Sequence, residues 1–155
     1  MGYLAIIVRP RAGADNIDLN ETVVLISDGS TKALLTYYGY NDQWMFNSTV
    51  HSSGRLFSSV SWNGTNTHRW GNCTNELFSL IVLQDEDNSC TRTAPIINKG
   101  DKVVICLKCD STKLFGQEIP ERTDVFGRVI PEIGSPGMIS FTTPASYPDY
   151  VYDLQ

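Results

Sequence analysis

The apolar residues of this chain fall in short runs, four to eight long, that are cut by Gly, Pro, Asn and Asp. Tyr3 to Val8 is strand-like, and Val23 to Ile26 is a β-branched run that stops at Asp28-Gly29, a strong turn signal. Thr31 to Tyr38 reads as the returning strand, so residues 21–38 predict a hairpin. Between Arg55 and Trp62, Leu56, Ser58, Val60 and Trp62 alternate with Phe57, Ser59 and Ser61, the period of a strand with two unlike faces. Leu77 to Leu83 and Val103 to Leu107 are short apolar runs, the second entered through Lys99-Gly100-Asp101. Val125 to Ile130 stops at Pro131, and Met138 to Thr142 stops at Pro144. No window of ten or more residues carries apolar spacing at i, i+3, i+4 and i+7 with caps at both ends, so helix content should be low. The pattern predicts an all-β sandwich or barrel.

The stretch from Tyr37 to Asn75 breaks the rhythm. It is rich in Asn, Ser, Thr, Tyr and Trp, and predicts long loops and short strands at an exposed end. No repeat or linker divides the chain, and its 155 residues suit one domain, 1–155, with a real core. A net charge of −5 with no basic stripe argues against nucleic acid and anionic lipid as partners. No stretch reaches the ~20 apolar residues of a membrane span. Met1-Gly2 leads directly into the first strand-like run, so a secreted chain is expected to carry a targeting segment upstream, the other reading being a cytosolic protein that starts there.

Export is suggested by four Asn-x-Ser/Thr glycosylation acceptors, at Asn20, Asn47, Asn63 and Asn72. With 10 Asn and 27 Ser or Thr in the chain, chance supplies roughly two such motifs. Three of the four cluster between Asn47 and Thr74, which carries more weight than the count.

Catalytic chemistry finds little footing. His51 and His68 are the available imidazoles, both in the polar middle, and no Gly-x-Ser-x-Gly elbow accompanies them. Gly127, Gly134 and Gly137 sit among prolines in turn contexts, not in a phosphate loop. Cys106 and Cys109 form a single CxxC, where a zinc ribbon needs two. On a regular strand they face opposite sides, predicting one core and one exposed thiol. A Cys73–Cys90 bridge and free thiols are both open readings. The reading is therefore not an enzyme.

Two features suggest binding. In Asp85-Glu86-Asp87-Asn88-Ser89, the oxygens of Asp85, Asp87 and Ser89 alternate as in the first half of a calcium loop. Cys90 and Ile96 stand where an EF-hand needs Gly and Glu, so further oxygens must come from Asn98, Gly100 or Asp101. The bland reading is an acidic solvated turn. Trp44, Trp62, Trp70, Tyr37, Tyr38 and Tyr40 crowd the polar middle, as in a sugar-stacking platform. Core plugs are the simpler reading of those rings.

The C-terminal third carries a family resemblance. Arg122-Thr123-Asp124-Val125-Phe126-Gly127, Val129-Ile130-Pro131-Glu132, Gly134-Ser135-Pro136-Gly137 and Phe141-Thr142-Thr143-Pro144 resemble the end of an archaeal flagellin (archaellin). The stretch from Arg9 through Gly13 to Asp18-Leu19, on into Val23 to Gly29, resembles that family's approach to its outer domain. Val82 to Ser89 with Pro95 to Asp101 does so too. The likeness spans about 90 residues, less than a typical domain, and leaves 37–78 unmatched.

The resemblance implies an immunoglobulin-like antiparallel β-sandwich that forms the outer sheath of the archaeal flagellum, an extracellular filament of many archaellin subunits serving swimming and attachment. It also implies an apolar N-terminal helix, made as a prepilin-like precursor and absent here, ahead of the outer domain. A structural divalent cation, calcium or magnesium, is implied at Asp85, Asp87, Ser89, Asn98 and Asp101, with glycans on the four acceptors. The rival expectation is a cell-surface adhesin that binds carbohydrate through Trp62 or Trp70.

Overall fold

The computed structural model describes residues 1–47, 60–62, 65–67, 73–109, 114–149 and 152–154. His51, His68, Asn63, Asn72, Trp70 and residues 55–59 of the alternating run lie outside them, as do the side chains of Trp44 and Trp62. Twelve strands are described: β1 (Tyr3–Val8), β2 (Ile17–Asp18), β3 (Val23–Ser27), β4 (Lys32–Tyr37), β5 (Phe46–Asn47), β6 (Val60–Trp62), β7 (Thr65–Thr67), β8 (Leu77–Gln84), β9 (Ile96–Ile97), β10 (Lys102–Lys108), β11 (Asp124–Ile130) and β12 (Gly137–Thr142). The helical content of the described residues is one 3-10 turn, Gln43–Met45.

The predicted hairpin is β3–β4, in the register Leu25↔Leu34. Its turn closes because Asp28 Oδ1 accepts the N–H groups of Ser30 and Thr31, while Gly29 takes φ +88°. Hydrogen bonding links the main strands in the order β1-β10-β8-β4-β3-β11-β12. Most neighbours are antiparallel; β8 lies parallel to β4 through Thr36↔Leu77 and Tyr37↔Phe78, and parallel to β5. Two leaves result, β1-β10-β8 and β4-β3-β11-β12, joined at the start of β8. Leu4, Leu80, Val103, Ile105 and Leu107 of the first leaf share a buried cluster with Val24, Ile26, Leu35, Val125 and Phe141 of the second. This is a β-sandwich-like arrangement, as the resemblance implied.

β10 is apolar without alternation because both of its faces are covered. Val103, Ile105 and Leu107 point into the main core, while Val104 and Cys106 join Cys73 and Ile81 in a second cluster. That corrects the expectation for the CxxC pair: Cys106 and Cys109 are both fully buried. Cys109 leaves the strand, with its N–H donating to the Gly2 carbonyl, and packs into the main core. Cys73 and Cys90 belong to different clusters and no disulfide joins any of the four cysteines.

Gly127 is a second correction, since it lies in the middle of β11 and not in a turn. A Cβ there would run into the Leu25 carbonyl oxygen and lie 3.2 Å from the Ile26 Cα. Backbone cannot yield as a side chain does, so Gly127→Ala is expected to cost about 1–3 kcal/mol. Urea unfolding of the two proteins checks this, with Gly13→Ala (φ +80° but open space around it) as the comparison.

Candidate metal centre

Two tight turns face each other at the end of β8. The first runs from Asp85 to Ser89 and turns at Asn88, which adopts the left-handed φ of 57° that Asn tolerates. Asp85 shapes it from within: Oδ1 accepts the Ser89 N–H at 3.2 Å and Oδ2 the Cys90 N–H at 3.1 Å. Asp87 Oδ1 accepts the same Ser89 N–H at 3.0 Å. The second turn, Asn98 to Asp101, bends at Gly100 (φ +105°) and is closed by Asp101 Oδ2 accepting the Asn98 N–H at 2.8 Å. β9 enters this turn, and its pairing with β2 anchors it to the rest of the fold.

Asn98 ties the turns together. Its Nδ2 donates to Asp87 Oδ2 at 2.6 Å and to Ser89 Oγ at 3.0 Å, and Ser89 Oγ donates onward to the Ile96 carbonyl at 3.0 Å. Ligand oxygens of Asp85, Asp87 and Asp101 lie within 4.8 Å of one another. The five sequence-predicted residues are thus brought together, but in two roles. Three carboxylates converge, while Ser89 and Asn98 serve as donors that hold them. The sequence could nominate the oxygens; it could not say which amide would turn its nitrogen inward.

Electrostatics favour a hard cation. Asp101 is 2% exposed, Asp85 is half-buried and Asp87 is open to solvent. None of the three pairs with Lys or Arg among the described residues. Hydrogen bonds from Ser89, then from Asn98, hold Asp87 below the usual carboxylate range. Burial, then the charges of Asp85 and Asp101, push the Cys90 thiol up to about 12. Cys90 packs into the main core, and the ligand atoms that converge are carboxylate oxygens alone, the set that suits calcium or magnesium. Each carboxylate oxygen that accepts one N–H keeps a lone pair for a cation. The residues fit the ion that the resemblance implied.

A clamp that the sequence did not announce secures the outer end of the loop. Arg92 Nη1 donates to the Gly39 and Tyr40 carbonyls at 2.7 and 2.9 Å, while the buried Tyr37 donates its hydroxyl to the Arg92 carbonyl at 3.0 Å. Tyr37 is thereby a core residue, and Tyr38 and Tyr40 are exposed. Arg92→Ala removes both guanidinium bonds and is expected to cost about 1–2 kcal/mol, read from thermal unfolding. Arg92→Lys should recover only part of it, because an ammonium lacks the planar fork.

Among the acceptors, Asn20 is exposed, with Nδ2 donating to Glu21 Oε1 at 3.2 Å. The Thr22 of its motif is buried and donates to the Asp18 carbonyl. Asn47 is half-buried in β5.

The fold and the sequence have counterparts among known proteins. A model of the archaeal-type flagellin family matches residues 1–141. The chain belongs to that family. Flagellin B2 of Methanocaldococcus jannaschii is 42% identical over 147 residues, 95% of this chain and 61% of that protein. Flagellin B3 of Thermococcus kodakarensis is 32% identical over 185 residues, 98% of this chain and 69% of that protein. The chain therefore spans somewhat under two thirds of the length of the first of these flagellins. The crystal structure of flagellin FlaB1 from M. jannaschii superposes with a TM-score of 0.76 at 29% identity, over 99% of this chain and 85% of that one. The archaeal flagellum of Methanospirillum hungatei has a chain that matches with a TM-score of 0.50 at 12% identity, a likeness of fold alone. The archaellin resemblance, drawn from about 90 residues, extends over most of the chain.

Proposed function

We propose that this chain is the outer β-domain of a filament subunit of the archaeal flagellum, assembled with other archaellins on the cell exterior for swimming and attachment. One observation carries the reading: the flagellin family model covers residues 1–141 of a sandwich that superposes on a flagellin crystal structure along nearly its whole length. The role is structural, with no catalysis. The adhesin reading draws no comparable support from known proteins, and Tyr37, one of the rings it invokes, belongs to the core.

Within this reading the two turns hold a structural calcium or magnesium ion through Asp85, Asp87 and Asp101. Ser89 and Asn98 orient the carboxylates. A cation there neutralises three close negative charges and fastens the end of β8 to the approach of β10. Glycans on Asn20, Asn47, Asn63 and Asn72 would cover the filament exterior. The exposed side chain of Asn20 supports its accessibility in the folded chain.

Peptide mass spectrometry of filaments sheared from the source cells tests the function. Peptides of this chain should dominate, with glycan-bearing forms at the acceptor asparagines. Their absence from filaments, with presence in the general surface fraction, sinks the filament reading and favours the adhesin.

A further inference from the structure

We propose that the outer face of the β4-β3-β11-β12 leaf is a lateral contact surface for a second copy of this chain, with Arg128 at its centre pairing with a carboxylate of that copy. The inference rests on the reading of the chain as a filament subunit. It begins with register. Leu34 lies opposite Leu25, Leu25 opposite Arg128, and Arg128 opposite Met138, one row across all four strands. Alternate residues of a strand share a face, so Val23, Phe126 and Ile130 stand beside that row on the same side. The residues between them, Val24, Leu35 and Val125 among them, fill the core from the opposite side.

A solvated face of an antiparallel sheet ordinarily alternates apolar inward with polar outward. This leaf is apolar on both sides: Leu34, Phe126 and Met138 are 57%, 52% and 71% exposed. Lys32, Ser27, Ser140 and Thr142 border the patch, and an apolar centre with a polar rim is the anatomy of a protein interface. Arg128 is exposed within it and has no ion pair among the described residues. The nearby Asp124 already accepts the Thr142 hydroxyl at 2.6 Å.

Charge and area select the occupant. The chain holds 17 acidic against 12 basic residues, so a second copy brings carboxylates in excess to a face where two bases, Lys32 and Arg128, outnumber the one acid, Asp124. Four strands spaced ~4.8 Å apart with about three outward residues each make a patch of roughly 300 Å². A stable dimer needs about 800 Å² per partner. The face is too small to hold a free dimer and large enough for a contact repeated along a filament. Open helical assemblies use such unlike, non-closing contacts, one patch meeting a different patch of the neighbour.

The test places a benzophenone side chain at position 138 in filaments assembled by the cell, and compares Met138→Glu and Arg128→Glu filaments with the parent. Cross-links from 138 should land on a second copy, and both variant filaments should shorten or fall apart at lower temperature. The purified chains should run as monomers and melt with the parent, because both positions are exposed. Cross-links to a non-flagellin chain, or none in filaments that contain this protein and tolerate Met138→Glu, overturn the contact and leave the filament reading standing. Filaments lacking the chain altogether overturn both.

Discussion

Asp101→Asn is expected to abolish most of the stabilisation that a divalent cation gives at the proposed centre. A ligand that binds only the native state contributes RT ln(1 + [L]/Kd), about 4 kcal/mol when the free ion is about a thousandfold above Kd. For a chain of this size that is a rise of about 8–16 °C in Tm. Asp101 is the right residue to change because it is the buried member of the three carboxylates. Asn keeps an oxygen to accept the Asn98 N–H, so the turn survives while one negative charge is lost. Calorimetry with calcium and with a chelator should show the large shift in the parent and little in the variant. Acid acts in the same direction. Asp87 has its pKa lowered by folding, so its contribution is present above the ordinary carboxylate pKa and lost as pH falls through the lowered value. Protons and cation compete for the same oxygens, so the calcium shift should shrink as pH falls below about 4, through the lowered Asp87 value. A shift of equal size in Asp101→Asn would show that the ion, if bound, sits elsewhere.

Phe78→Ala should destabilise the fold by about 3–5 kcal/mol, a large share of the ~5–15 kcal/mol of a whole domain. Phe78 is fully buried, and its ring centre lies 6.0 Å from that of Tyr37 in a tilted pair. Position matters as much as volume. Phe78 pairs with Tyr37 where β8 meets β4, the joint of the two leaves, so the cavity would open where the sheet changes leaf. Nearby backbone bonds, such as Thr36 N–H to the Glu76 carbonyl, limit how far that joint can collapse. Phe78→Leu should cost less, and Leu34→Ala on the exposed face close to nothing in the isolated chain. Denaturant midpoints of the three variants check the order. A Phe78→Ala loss no larger than that of Leu34→Ala would place the joint outside the cooperative core.

The all-β class, the β3–β4 hairpin and the limits of β8, β10, β11 and β12 were legible in the sequence because strand signals are local. β-branched runs, period two and turn residues act over a few neighbours. The Asp28-Gly29 turn shows the same locality, since one carboxylate satisfies the two N–H groups that follow it. That five oxygen-bearing residues of the proposed cation centre would lie together was legible for a similar reason: two short acidic turns separated by one connection.

What only the tertiary structure decided depends on residues far apart in the chain. Whether Cys106 and Cys109 were exposed turned on what covers the second face of β10, which no period within β10 records. Gly127 looked like a turn residue because the close approach of the Leu25 carbonyl comes from another strand. The parallel contact of β4 with β8 and the Arg92 clamp join segments about 40 and 50 residues apart, and chain closure over such lengths leaves no local signal. The sequence by itself determined which segments are strands and which turns carry oxygen. The packing of the leaves decided which sides are buried, because burial belongs to the pair of surfaces and not to either strand alone.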